Sequence, residues 1–113
     1  MHEMALAESV LGLIEESARR EGFSAIRAVW LDIGCLAGVE VEALRFCFEV
    51  VTRDSIAAGA RLEIADSPGQ GWCMKCSEVV RINSRVDACP RCGGHQVQVT
   101  AGTEMRVREM EVV

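Results

Sequence analysis

A chain of 113 residues has room for one ordinary domain, or for one small domain with a satellite. Half of its residues are apolar, enough for a hydrophobic core, and its net charge of −5 sets up a field that repels nucleic acid. Two Trp, three Phe and no Tyr leave few platforms on which single-stranded bases could stack.

Met1-His2-Glu3 stands immediately before the first element. Met4, Ala7, Leu11, Ile14 and Ala18 recur at helical spacing, widened by Leu6, Val10 and Leu13, and predict a helix over roughly 4–21. Arg19 and Arg20 suit its last turn, and Gly22 suits the cap beyond it. No basic segment precedes this apolar run. The run is broken by Glu8 and too short to span a bilayer, so the expectation is a cytoplasmic chain with no membrane span.

Residues 25–33 read as a strand that is apolar on both faces, hence central: Val29, Leu31 and Ile33 on one side, Ile26, Ala28 and Trp30 on the other. Glu40 and Glu42 open a second helix whose stripe is Leu44, Cys47, Phe48 and Val51. A helical turn ends at Gly59, and residues 60–66 alternate as a second strand. Ser67-Pro68-Gly69-Gln70-Gly71 is the sharpest break in the pattern and is expected to be a hinge. Residues 79–82 and 96–99 could be short strands of a ribbon. The segment from Glu104 onward is β-like, with a slip in its alternation near Arg108-Glu109 that suggests a bulge. A lone strand there needs a sheet to join. The expected fold is therefore α+β, with two helices packed on a small three-stranded mixed or antiparallel sheet. Residues 1–66 and 102–113 would form a discontinuous α/β domain, and residues 67–101 an inserted lobe.

That lobe holds Cys73-Met74-Lys75-Cys76 and, twelve residues on, Cys89-Pro90-Arg91-Cys92. Two thiolates three positions apart share one tight turn and converge on one ion. Two such turns supply a closed tetrahedron of sulfurs, and Zn(II) is the metal such a set favours. The interval is slightly shorter than the reference spacing. Two disulfides, a redox Cys-x-x-Cys and iron remain as alternatives. A reducing compartment weighs against the disulfides. About thirty residues cannot bury a sufficient core alone, so metal should hold the lobe together. A four-thiolate site has no open position, which argues against catalysis. Cys35 and Cys47 lack a Cys-x-x-Cys partner and read as packing residues. His95, three residues beyond Cys92, reads as an exposed loop histidine, or else as a group beside the metal.

The terminus offers sharper chemistry. The α-amine of Met1, the backbone nitrogen of His2 and its imidazole Nδ1 can chelate one ion through fused rings. Glu3 adds a backbone nitrogen or a carboxylate. Nitrogen donors held in a plane favour Ni(II) or Cu(II). Without the rest of the pattern, a solvated, frayed end is the plainer account of these residues.

The combination resembles the HypA/HybF family of hydrogenase nickel-incorporation proteins. The residues that carry the resemblance are Met1-His2-Glu3-Met4, Ile33-Gly34, Glu42-Ala43-Leu44-Arg45-Phe46 and Gly59-Ala60-Arg61-Leu62-Glu63-Ile64. With them go both Cys-x-x-Cys pairs, with Gly93 after Cys92, and Gly102-Thr103-Glu104-Met105. The resemblance implies a two-lobe, non-enzymatic metallochaperone. It would carry nickel at the terminus with His2 as the central ligand, and hold zinc on Cys73, Cys76, Cys89 and Cys92. Implied partners are a HypB-type GTPase and the [NiFe]-hydrogenase large subunit, with urease served in some organisms. A monomer or weak homodimer is expected, with no nucleic acid bound. Two other readings of the residues are a zinc-ribbon adaptor for nucleic acid or a transcription complex, and a thiol oxidoreductase. The first leaves Met1-His2 unexplained, and acidity argues against it. The second requires an exposed thiolate of low pKa.

Overall fold

The computed structural model describes residues 3–113. In chain order the elements are α1 (Glu3–Glu21), β1 (Ile26–Gly34), α2 (Val41–Val51), β2 (Arg61–Ser67), β3 (Gly69–Cys73), β4 (Glu78–Ile82), β5 (Val97–Ala101) and β6 (Met105–Val112). Two three-stranded sheets form, with orders β2-β1-β6 and β4-β3-β5. The expected α+β fold is observed. β1 is central in its sheet, and the segment after Glu104 joins that sheet as β6.

The chain divides into two compact units. One comprises the residues up to Leu31 with Val39–Ile64 and Val107–Val113; the other comprises Asp32–Gly38 and Ala65–Arg106.

In the first unit, α1 packs against α2. α1 buries Ala7, Val10 and Ile14 completely, a narrower face than the periodicity suggests; Met4 and Leu13 are 39% and 50% exposed. Complete burial of a Val or Ile side chain contributes about 1.5–3 kcal/mol, so Val10 and Ile14 anchor the helix. Gly22 ends it as expected. Its φ is 80°, and its N–H donates to the Ala18 carbonyl at 2.8 Å. α2 buries Leu44 and Phe48, leaving Cys47 half-buried. Its cap is Glu40, whose side chain accepts from the Ala43 N–H at 2.7 Å. The Arg45 guanidinium donates to the Leu62 carbonyl on β2. In β6 the alternation slips at Arg108-Glu109, both exposed, between half-buried Val107 and Met110.

In the second unit the expected hinge at residues 67–71 is instead mostly strand. Only Pro68 separates β2 from β3, and β3 is the centre of the ribbon sheet, antiparallel to both β4 and β5. The glycines that suggested a break are what the pairing requires. A Cβ on Gly69 would lie 2.4 Å from the Ile82 carbonyl oxygen, and one on Gly71 would lie 2.4 Å from Val97 Cγ1. In this strand glycine marks close approach rather than a turn. The loop after β1 belongs to this unit by its contacts. The Cys35 N–H donates to the Ser67 carbonyl at 2.9 Å and the Leu36 N–H to the Gly102 carbonyl at 2.8 Å. Leu36 is buried in one cluster with Cys73, Val80, Ile82 and Cys89.

Candidate metal centre

The four cysteines sit on two turns built alike. In the first, the Ser77 N–H donates to the Cys73 carbonyl at 2.8 Å; in the second, the Gly93 N–H donates to the Cys89 carbonyl at 2.8 Å. The residue closing each turn is left-handed, with φ 54° at Ser77 and 75° at Gly93. Glycine adopts that conformation freely and serine does not. Backbone N–H groups point at the sulfurs: Cys76 at Cys73 Sγ, Arg91 at Cys89 Sγ and Gly94 at Cys92 Sγ, each at 3.4 Å. Such donors favour the thiolate form. Two backbone bonds tie the turns to their surroundings, Met74 N–H to the Gln96 carbonyl at 2.9 Å and Cys89 N–H to the Gly94 carbonyl at 2.7 Å. Arg91 pairs with Glu78 on β4 at 2.7 Å.

All four Sγ atoms lie within 4.8 Å of one another. Cys73 and Cys92 are 3.7 Å apart, and Cys76 and Cys89 are 4.0 Å apart. A tetrahedron with metal–sulfur bonds of about 2.3 Å has edges of about 3.8 Å, so the cage is of the size zinc takes. Cys73 and Cys89 are buried, and Cys76 and Cys92 are half-buried. Val80 and Ile82 pack beside them, with Val97 and Val99 partly covered. Without a cation these sulfurs work against one another. Cys89 is held down to about 7, chiefly by the Cys92 backbone N–H, with burial opposing and the Arg91 N–H assisting. Cys76 is pushed up to about 12 by its hydrogen bond with the Cys92 thiol, by burial and by the neighbouring sulfurs. Four crowded thiols do not all ionise together. A bound divalent ion supplies the charge that lets them.

Met1 and His2 lie outside the described residues. Glu3, the third member of the terminal set, begins α1, and its Oε2 accepts from the Glu40 backbone N–H at 3.1 Å. The first residue of α1 and the cap residue of α2 therefore meet. Glu40 was legible as the start of a helix. Its tie to Glu3, 37 positions away, carries no local signal. Cys35 is exposed, with Sγ 4.0 Å from the Ile82 carbonyl, and Cys47 lies on α2; neither belongs to the four-sulfur cluster. His95 is exposed, as expected, at the rim of a groove beside Cys73 and Cys92.

The model of the family described as hydrogenase/urease nickel incorporation, metallochaperone, HypA, matches residues 1–112. The chain belongs to the HypA family. It is 57% identical over 112 residues to the hydrogenase maturation factor HypA of Azotobacter vinelandii, and 60% identical to that of Albidiferax ferrireducens, with 99% of each chain covered in both cases. Its fold matches the solution structure of the nickel metallochaperone HypA from Helicobacter pylori with a TM-score of 0.72 at 28% identity, covering 100% of this chain and 98% of that one. A second HypA solution structure matches with a TM-score of 0.73 at 29% identity. HypA proteins are maturation factors for nickel incorporation rather than enzymes, which fits a site of four thiolates with no open coordination position. Membership does not favour the nucleic-acid adaptor. Among the described residues, no helix is long and apolar enough to cross a membrane.

Proposed function

We propose that this chain binds Ni(II) at its N-terminus and hands it on during [NiFe]-hydrogenase maturation, while Cys73, Cys76, Cys89 and Cys92 hold one structural Zn(II). The observation that carries the reading is the family match beginning at residue 1, over Met1-His2-Glu3. The α-amine of Met1, the backbone nitrogen of His2 and its Nδ1 form two fused chelate rings. Glu3 supplies the next donor. Its carboxylate is engaged by the Glu40 amide. Its backbone nitrogen is the alternative donor.

Nickel at a terminus with few ligands can be passed by ligand exchange to a docked protein. A closed four-thiolate cage could not release it so readily. The zinc lobe's part is structural: it fixes the ribbon, whose apolar cluster alone is small. In this reading the chain works in the cytoplasm as a monomer or weak homodimer. It docks a HypB-type GTPase and the hydrogenase large subunit, and it serves urease where that enzyme is present. The test is metal analysis of untagged protein followed by nickel titration of wild type and His2→Ala. About one zinc per chain and a nickel site lost only in His2→Ala are expected. Unchanged nickel binding in His2→Ala would overturn the terminal site.

A further inference from the structure

The four sulfurs are not equally approachable. An open groove of about 460 Å³ runs along one edge of the cage, lined by Cys73, Lys75, Cys92, Gly94, His95 and Gln96; Cys76 and Cys89 do not line it. Within the groove Cys92 is half-buried and Cys73 is fully buried behind it, with the two Sγ atoms 3.7 Å apart. A small reagent entering the groove thus meets Cys92 first, and Cys73, 3.7 Å from it, is the other sulfur that lines the groove. Lys75 and His95, both exposed, stand at the rim with polar N–H groups.

We propose that this edge is a modification site: a hydroperoxide entering the groove oxidises Cys92, and Cys73 resolves the product to a Cys73–Cys92 disulfide that opens the cage. In the first step the Cys92 thiolate attacks one peroxide oxygen. An S–O bond forms, the O–O bond breaks, and the departing oxygen takes a proton from solvent and leaves as water or alcohol. The product is a sulfenic acid. In the second step the Cys73 thiolate attacks that sulfur, forming the S–S bond and expelling hydroxide, which solvent protonates. Two thiolates lose two electrons to the peroxide. Cys76 and Cys89 remain as the only sulfur donors, and two ligands in place of four hold zinc weakly. The Lys75 ammonium favours the approach by stabilising the negative charge that develops on the departing oxygen. The two turns make the cross-turn bridge the short route, because the first supplies the resolving sulfur and the second the attacked one.

This inference rests on the four-thiolate reading of the ribbon, and one experiment separates the two. Cys35→Ser protein, in which the exposed thiol neither consumes oxidant nor reshuffles bridges, is first assayed for zinc. It is then treated with one equivalent of hydrogen peroxide. Released zinc is read with a chromophoric chelator, and bridges are mapped by peptide mass spectrometry. The expected result is one zinc released per Cys73–Cys92 bridge, and rebinding after reduction. A first bridge between Cys76 and Cys89, or within either turn, would overturn the proposal. So would zinc loss without a bridge, or a cage that resists the oxidant. Protein containing no zinc at the outset would contradict the zinc reading, while the bridge map would still decide which sulfurs couple. Lys75→Ala with His95→Ala leaves all four ligands in place and should slow the reaction about fivefold, the effect of one exposed charge at close range. An unchanged rate would remove the groove from the account.

Discussion

Gly93→Ala isolates what the closing residue of a cysteine turn contributes to metal affinity. Gly93 has φ 75°, and a Cβ built on it meets no atom within 4 Å, so the substitution tests backbone conformation without a steric clash. Holding a non-glycine residue in the left-handed region costs roughly 1–2 kcal/mol. The stiffer unfolded chain of the alanine variant offsets about 0.4–1 kcal/mol of that. The net loss is about 1 kcal/mol. Because zinc binding and ribbon folding are one equilibrium, it should appear as zinc affinity weakened about fivefold. Gly94→Ala is the control. Its φ lies outside the left-handed region, and its nearest neighbour, Cys92 Sγ, is at an ordinary 3.4 Å. It should change affinity by less than about twofold. Ser77→Gly, at the equivalent position of the first turn, should leave affinity unchanged or slightly tighter, since it removes strain while loosening the unfolded chain. Competition with a chromophoric chelator at neutral pH reads all three. If Gly93→Ala is silent, or Gly94→Ala is as damaging, the left-handed closure is not what sets the turn.

Glu40→Ala removes the cap of α2 and should cost about 1 kcal/mol in urea unfolding, with most of it restored by Asp or Asn; a loss below about 0.3 kcal/mol would show that the cap bond is idle. Gly12→Ala, in mid-helix with open space around its Cβ, should stabilise by about 0.5–1 kcal/mol. Gly34→Ala should destabilise by more than about 2 kcal/mol, since its Cβ would sit 2.0 Å from the Gly102 carbonyl oxygen; equal effects at the two sites would refute the packing argument.

The sequence disclosed the cysteine cage through spacing alone, because two Cys-x-x-Cys turns are local objects and their convergence follows from ligand chemistry. It also disclosed α1, β1, α2 and the return of β6, whose periodicities are strong. It misled at Gly69 and Gly71, where glycine permits close strand pairing, and composition does not distinguish that use from a turn. The α1 face came out too broad. Met4 and Leu13 fit the helical period, but the buried face is set by what packs against it, which no local window contains. Leu36 and the Glu3–Glu40 tie were not legible for the same reason, since each depends on residues more than thirty positions distant.

The central claim is that nickel is held by the chain terminus itself. Calorimetry of nickel binding to zinc-loaded protein tests it most directly, comparing the native terminus with a form carrying Gly-Ser ahead of Met1 and using circular dichroism as the folding control. The extension keeps His2 but moves the amine two residues away and breaks the fused chelate rings. The account predicts one tight nickel per chain for the native form and loss of that site in the extended form, with fold and zinc intact. An extended protein that binds nickel as tightly as the native one would contradict it, and the site would then rest on side chains.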